Sequence, residues 1–264
     1  MPTYEANITK SHRGCIKTMP DTIHLAKAPI VEALIDLRVQ LPVPFDVTRL
    51  NAIHEKTVER YPTKAMIRKF AGQIHLTEQG ASQKINMDEP YGNRYTSSDG
   101  VFVFQARTDG FTLSRLKPYS DWDDLYSEAK RLWAIYAEVA GVELVTRVAV
   151  RYINRMEIPF PISDFAEYLA SPPIIPAALP QTLSSFLMRF VMHDELNGIS
   201  AIVTQALEES PSPIVPIVLD IDVFKEGSYE GKSDECWTVL STLRDFKNRV
   251  FFSSITDKTL ELFR

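Results

Sequence analysis

The feature that most constrains the fold is a short segment that occurs twice. Arg38–Phe45 (RVQLPVPF) aligns with Arg155–Ile162 (RMEIPFPI); the arginine and both prolines are identical, and the other five positions keep their character. An alternating strand pattern leads into each copy and a helical pattern follows it. Because the order strand, helix, antiparallel strands and capped long helix then recurs, we predict an internal duplication of an α+β unit.

Each half also carries a hairpin signal and a long helix. Asp-Gly at 109–110 and Asn-Gly at 197–198 stand between alternating runs, which favours tight hairpins whose turn residues take positive φ. Ser120 and Ser233 are predicted to cap the two helices, the first of which ends at Gly141. The apolar stripe of the second helix is predicted to be Trp237, Leu240, Leu243, Phe246 and Val250.

The predicted fold class is α+β: tandem β-α-β(n)-α units that form one long antiparallel sheet with both long helices on one face. Residues 1–28 are expected to be a loosely ordered leader, residues 29–141 the first unit and residues 142–264 the second, packed as one body. The arrangement resembles the saddle-like, TATA-binding-like and helix-grip architectures in its order of elements. It leaves the second face of the sheet open.

Composition and charge exclude several classes of protein. Of 264 residues, 45% are hydrophobic, which is enough for a large core and excludes wholesale disorder. The net charge of −5 disfavours nucleic acid as a partner, and no apolar stretch is long enough to span a membrane. Two cysteines cannot form a disulfide scaffold, so a cytoplasmic location is expected.

Cationic side chains recur on the predicted strands. Alternation places Arg147, Arg151 and Arg155 on one face, and Arg115 and Lys117 also share a face. Arg38 shares its face with Asp36, and Arg189 lies mid-strand in the second hairpin.

If these faces coincide on the open side of the sheet, they form a cationic floor for phosphate or carboxylate groups. The alternative is a solvated face on which the cations pair with strand carboxylates. The carboxylates in question are Asp36, Glu157, Asp220 and Asp222.

A divalent cation is a further alternative. Asp220 and Asp222 lie two residues apart on one strand face, about 7 Å from each other, near enough to share a cation through water. No third acid or histidine accompanies them at ligand spacing, so no cofactor is predicted.

Four segments carry a resemblance to a known family. They are Pro29–Asp36 (PIVEALID), Ser114–Tyr119 (SRLKPY), Arg151–Arg155 (RYINR) and Ile255–Phe263 (ITDKTLELF). Together they resemble an uncharacterised, sporadically distributed bacterial family of about this length. The resemblance implies a bacterial cytoplasmic protein and draws attention to Arg151, Tyr152, Asn154 and Arg155.

This R-Y-x-N-R motif has its own physical interpretation. Alternation sends Arg151 and Arg155 to one face and Tyr152 and Asn154 to the other. Asparagine is disfavoured inside a strand, so a local partner is expected to satisfy its amide. Tyr152 and Asn154 either bond the elements behind the sheet and fix how the halves join, or bind a ligand.

The predicted function is a non-enzymatic binding protein. Its arginine-bearing sheet face would hold an anionic small molecule or an acidic segment of a partner protein. One alternative is a metal-assisted enzyme acting on a phosphorylated or nucleotide substrate, with Asp220 and Asp222 holding the metal. Another is a structural subunit that assembles with itself, for example as a homodimer.

Overall fold

Nine antiparallel strands form one continuous sheet in the computed structural model. It describes residues 25–77, 80–209 and 213–264, and for residues 70–77 and 80–88 only the backbone. Most of the predicted leader, residues 1–28, lies outside the described residues. The strands are β1 (Ile30–Gln40), β2 (Thr63–Thr77), β3 (Gly80–Thr96), β4 (Phe102–Arg107), β5 (Gly110–Leu116), β6 (Leu144–Pro159), β7 (Phe186–Asp194), β8 (Ile199–Leu207) and β9 (Ile214–Glu230).

The strand order mirrors itself about the centre of the sheet. β1 and β6 pair there; outward from β1 lie β5, β4, β3 and β2, and outward from β6 lie β9, β8 and β7. In each half the first strand therefore pairs with the last strand of that half. The mirrored order supports the predicted duplication, whose unit boundaries at 29–141 and 142–264 stay a prediction.

The first predicted hairpin forms, but its glycine has a different role. Arg107 pairs with Gly110, so Thr108 and Asp109 are the loop residues and Gly110 already belongs to β5. A Cβ atom at position 110 would lie 2.4 Å from the carbonyl oxygen of Leu37 in β1. The glycine therefore permits close approach of the central strand, and the expectation of a positive φ there was wrong.

The second hairpin joins β7 to β8. Asp194 pairs with Ile199 across a four-residue loop in which Gly198 has φ +61°, as its Asn-Gly signal predicts. The two hairpins are not equivalent in topology, because the first joins the last two strands of its half whereas β9 still follows the second.

The helices cover one face of the sheet, which confirms the α+β class. They are α1 (Ala52–Thr57), α2 (Trp122–Ala140), α3 (Glu235–Ser254) and α4 (Asp257–Glu261), with 3-10 turns at Val47–Asn51 and Phe165–Glu167. α2 packs on β1 and β5, and α3 packs on β6 and β9. Among the described helices, none has an apolar stretch long enough to cross a membrane.

In both long helices the N-cap lies one residue after the predicted serine. Asp121 caps α2, because its carboxylate accepts a hydrogen bond from the backbone N–H of Asp124 at 2.8 Å. Asp234 occupies the cap position of α3. Gly141 ends α2 in the left-handed conformation, as predicted.

The core lies between the helices and the covered face. Ile35 of β1 and Val150 of β6 face each other at the centre of the sheet, and both are fully buried. Their neighbours in sequence, such as Asp36 and Arg151, occupy the opposite face, which we call the open face.

Candidate functional site

The open face collects most of the predicted arginines. Arg147, Arg151 and Arg155 share it, as the alternation predicts, and Arg38 lies directly opposite Arg147. Arg189 is on the same face, but on β7 at the edge of the sheet.

A buried carboxylate, Asp36, organises the centre of this face. It is 7% exposed and accepts from Arg107 at 3.0 Å, from Arg38 at 3.1 Å and from Arg147 at 3.4 Å. The hydroxyl of Thr112 donates to it at 2.6 Å. Arg107 is itself 7% exposed. It was not selected from the sequence, although strand alternation places it on the same face as Gln105.

The three open-face arginines of β6 all have acidic partners. Arg151 holds both carboxylate oxygens of Asp220, at 2.8 and 2.5 Å, and this pairing raises the pKa of its guanidinium. Arg147 donates to Asp222 at 2.8 Å, and burial raises the pKa of that carboxyl even though Arg147 opposes the shift. Arg155 contacts Glu157 at 2.6 Å and Glu208 at 3.0 Å. These contacts favour a ladder of cross-strand ion pairs over a vacant cationic floor.

Two of the predicted cations lie on the other side of the sheet. Arg115 is opposite Ala33 on the helix-covered face, where it bonds Asp124 of α2 at 2.6 Å and lies 4.7 Å from the ring centre of Phe102. Lys117 follows in the loop before α2 and lines a cavity on that side. The expectation that Arg115 and Lys117 join the open face was therefore wrong, because strand register decides which face each pair occupies.

The aspartates proposed as metal ligands are engaged with arginines. Asp220 and Asp222 are bonded to Arg151 and Arg147. Within residues 25–77, 80–209 and 213–264, no three His, Cys, Asp or Glu side chains are grouped as a metal ion would require.

The motif residues that point away from the open face, Tyr152 and Asn154, lie at a cavity of about 330 Å³ on the helix-covered side. Its walls come from four parts of the chain: the segment Leu25–Ile30, the loop from Lys117 to Asp121, the middle of β6 and one face of α3. Tyr152 and Asn154 of the motif both line it. We call it the motif cavity.

Helix α3 contributes the most unusual side chain. Arg244, Lys247, Asn248 and Phe251 line the motif cavity at the spacing of one helix face. Lys247 is only 8% exposed, and its ammonium lies 3.6 Å from the ring centre of Tyr152. Burial and the neighbouring Arg244 lower the pKa of Lys247 to about 7.

The motif residues have defined partners on this side. The hydroxyls of Tyr152 and Tyr119 are 3.0 Å apart, and burial raises the pKa of both groups. The amide of Asn154, which is 2% exposed, donates to the Leu219 carbonyl of β9 at 2.9 Å. Asn154 thus links β6 to β9 within the second half of the chain. Its amide has a local partner, as predicted for an asparagine inside a strand.

The motif cavity has an excess of positive charge. Of the described residues that line it, four are cationic and one is acidic: Lys27, Lys117, Arg244, Lys247 and Asp121. Asp121 already accepts from the backbone of α2. In the described part of the chain, no carboxylate forms an ion pair with any of the four cations, although Arg244 lies 5.5 Å from the ring centre of Trp122.

Comparisons with known proteins found no match for the chain. No protein-family model matches the chain, and no curated protein is similar to it. The resemblance carried by the four sequence segments therefore stays a prediction.

The ion-pair ladder predicts unequal costs for two carboxylates on the open face. Asp36→Ala should reduce the free energy of unfolding by about 1–3 kcal/mol, because the buried guanidinium of Arg107 loses one of its two carboxylate partners and keeps only the half-exposed Asp109. Glu157→Ala, the matched control, removes a solvent-exposed partner of Arg155 and should cost about 0–1 kcal/mol. Urea denaturation of both variants measures the difference, and equal losses would contradict the central role of Asp36.

The burial of Lys247 predicts a pH-dependent stability. Between about pH 7 and the ordinary pKa of 10.5, the unfolded chain binds a proton at this lysine that the folded chain has released. The stability of the wild type relative to Lys247→Met should therefore rise with pH in this range, by at most about 1.4 kcal/mol per pH unit.

Urea denaturation at several pH values tests this expectation. The control is Lys232→Met, which changes an exposed lysine and should give a difference independent of pH. A flat difference for Lys247→Met would show that its side chain keeps an ordinary pKa.

Proposed function

We propose that the protein binds a small anionic ligand in the motif cavity. The observation that carries the proposal is Lys247, an ammonium more than nine-tenths buried without a carboxylate partner among the described residues. An unpaired buried charge is costly, and an anion that enters the cavity would relieve that cost. The anionic ligand expected from the sequence is retained, and its site moves from the open face to the opposite side of the sheet.

Charge pairing favours the motif cavity over the open face. On the open face, Arg151 and Arg147 already bond carboxylates, so a ligand would have to displace Asp220 or Asp222 from them. In the motif cavity, the cations can accept an anion with no such exchange. A desolvated cation without a competing acid is the better anion site.

The walls of the cavity indicate what kind of anion fits. Its volume of about 330 Å³ is at the lower end of the range typical of small-molecule sites, about 300–1,000 Å³. Tyr119, Trp122, Tyr152 and Phe251 give it aromatic surfaces. The site thus favours a small ligand with one charged end and an apolar or flat body, rather than an acidic segment of a protein.

Thermal denaturation with a panel of anions tests the proposal. Inorganic phosphate, citrate, aromatic carboxylates, phosphorylated sugars and nucleotides are each added to the full chain. A ligand that binds the folded state raises Tm, by roughly 2–4 °C for each kcal/mol that binding adds to the free energy of unfolding. We expect at least one anion to raise Tm in the wild type and to lose its effect in Lys247→Met.

The matched control is Arg151→Ala, which alters the open face and should keep the Tm shift. The reverse pattern, in which Arg151→Ala abolishes the shift and Lys247→Met keeps it, would return the site to the open face. A panel that leaves the wild-type Tm unchanged would contradict the proposal.

A second candidate function is self-assembly through β7. This strand ends the sheet, and its exposed apolar side chains are Leu187 at 73%, Phe190, Val191 and Met192. α3 packs on β6 and β9, which are nearer the centre of the sheet. An apolar edge strand is a template for pairing with a second copy of the same strand.

Light scattering across a range of protein concentrations tests self-assembly. We expect a dimer that dissociates to monomers in Val191→Lys, because a charge on the edge opposes strand pairing. The control Val43→Lys places the same charge at a fully exposed site in the β1–α1 connection and should leave the dimer intact. A wild-type chain that stays monomeric at every concentration would exclude the candidate.

A further inference from the structure

Resting on the proposed function, we propose that Lys247 captures its ligand covalently and reversibly, as a Schiff base. The ligand class is then an anion that also carries an aldehyde or ketone group. Lys247 would bind the carbonyl carbon, while the other cations of the motif cavity hold the anionic group.

The position of Lys247 provides the first argument. Its side chain belongs to the buried stripe of α3, with Leu243 and Phe251 one turn away on either side, and yet it lines the cavity. A lysine enclosed in this way is poorly hydrated. Desolvation favours the neutral amine, which is the form in which lysine acts as a nucleophile.

The surrounding charges provide the second argument. From α3 the amine is accompanied by Arg244, from β6 by the ring of Tyr152, and from the loop before α2 by Lys117, Tyr119 and Asp121. The segment Leu25–Ile30 adds Lys27. Asp121 accepts from the α2 backbone and, among the described residues, forms no ion pair with Lys247.

These surroundings keep part of the amine neutral near neutral pH. Burial and Arg244 bring the pKa of Lys247 to about 7, whereas the ring of Tyr152 favours the charged form. At pH 7 about half of such an amine is neutral, against about one part in three thousand for a lysine of ordinary pKa. Lys247 should therefore react well ahead of surface lysines at this pH.

The bond changes balance with one proton taken up from solvent. The lone pair of the neutral Nζ attacks the carbonyl carbon, and the electron pair of the C=O bond moves to oxygen, which takes up the proton that the nitrogen loses. The hydroxyl of this carbinolamine then takes up a proton from solvent and leaves as water, while the nitrogen lone pair forms a protonated C=N bond. The resulting positive charge is offset by the anionic group of the ligand.

The hydroxyls of Tyr119 and Tyr152 stay neutral beside this reaction. The two oxygens are 3.0 Å apart, and the Tyr152 ring lies directly against the Lys247 ammonium. Because burial raises the pKa of both phenols, they stay protonated at neutral pH and add no negative charge that would compete with the anionic ligand.

Reductive trapping on the full chain tests the inference. Glyoxylate, a small anionic aldehyde, is added near neutral pH with cyanoborohydride, which reduces an imine to a stable amine. Intact mass and peptide mapping then locate the adduct. We expect a single adduct at Lys247, formed at least about tenfold faster than any adduct on a surface lysine.

Two variants and one neutral probe make the result specific. Lys247→Arg keeps the positive charge and cannot form an imine, so it should lose the fast adduct and retain the Tm shift with anions; Lys247→Met should lose both. Acetaldehyde, which has no anionic group, should label Lys247 more slowly than glyoxylate does.

The outcomes separate this inference from the proposed function. If anions raise Tm but glyoxylate labels Lys247 no faster than surface lysines, covalent capture is wrong and anion binding stands. If Lys247 is labelled equally fast by acetaldehyde and glyoxylate, and no anion raises Tm, the amine is reactive but both the anionic ligand class and the proposed function fail. If neither labelling nor a Tm shift occurs, both ideas are overturned.

Discussion

The antiparallel pairing of β1 with β6 is the contact on which the rest of the structure depends. It joins the two halves into one sheet and sets the phase of the side chains in both. Ile35 and Val150 are sent to the covered face, while Asp36 and Arg147 are sent to the open one. A slip by one residue would exchange the two sets and bury guanidinium groups under the helices. The same phase directs Tyr152 and Asn154 toward α3, so the motif cavity is a consequence of this pairing.

Two groups of cations in this protein are distinguished by their partners. On the open face, the arginines of β6 and those around Asp36 lie within hydrogen-bond distance of carboxylates on the same or neighbouring strands, and Asp36 alone is bonded to three arginines. Such pairs contribute to register and specificity. The cations of the motif cavity have no carboxylate partner among the described residues, although Lys247 is as buried as Arg107. The presence or absence of an acid, rather than the number of cations, distinguishes the paired cations of the open face from those of the proposed binding site.

The sequence predicts which residues of one strand share a face better than it predicts which residues of different strands share a face of the sheet. Period-2 alternation correctly places Arg147, Arg151 and Arg155 together, since it depends only on local geometry. It could not place Arg115, whose face depends on the register of β5 against β1. Tyr95 belongs to β3, where it is buried and stacks on Phe104 at 4.4 Å. That strand carries glycine, asparagine and proline, so its formation depends on tertiary pairing more than on propensity.

Lys247 was missed because the predicted apolar stripe of α3 continued through Phe246 and Val250, whereas the buried stripe continues through Lys247 and Phe251. A lysine at an apolar position of a helix is the signal that could have found it.

The walls of the motif cavity come from distant parts of the sequence. The segment before β1 is held by a hydrogen bond from the Lys27 amide to the Phe263 carbonyl, at 3.0 Å, and Pro29 accepts from the backbone of Arg155 at 2.8 Å. Residues near the start of the described chain, in its middle and in its last long helix therefore meet only after the whole polypeptide has closed. A ligand in the motif cavity would contact both the segment before β1 and α3. Its presence would protect the entire tertiary structure from opening, rather than one half alone.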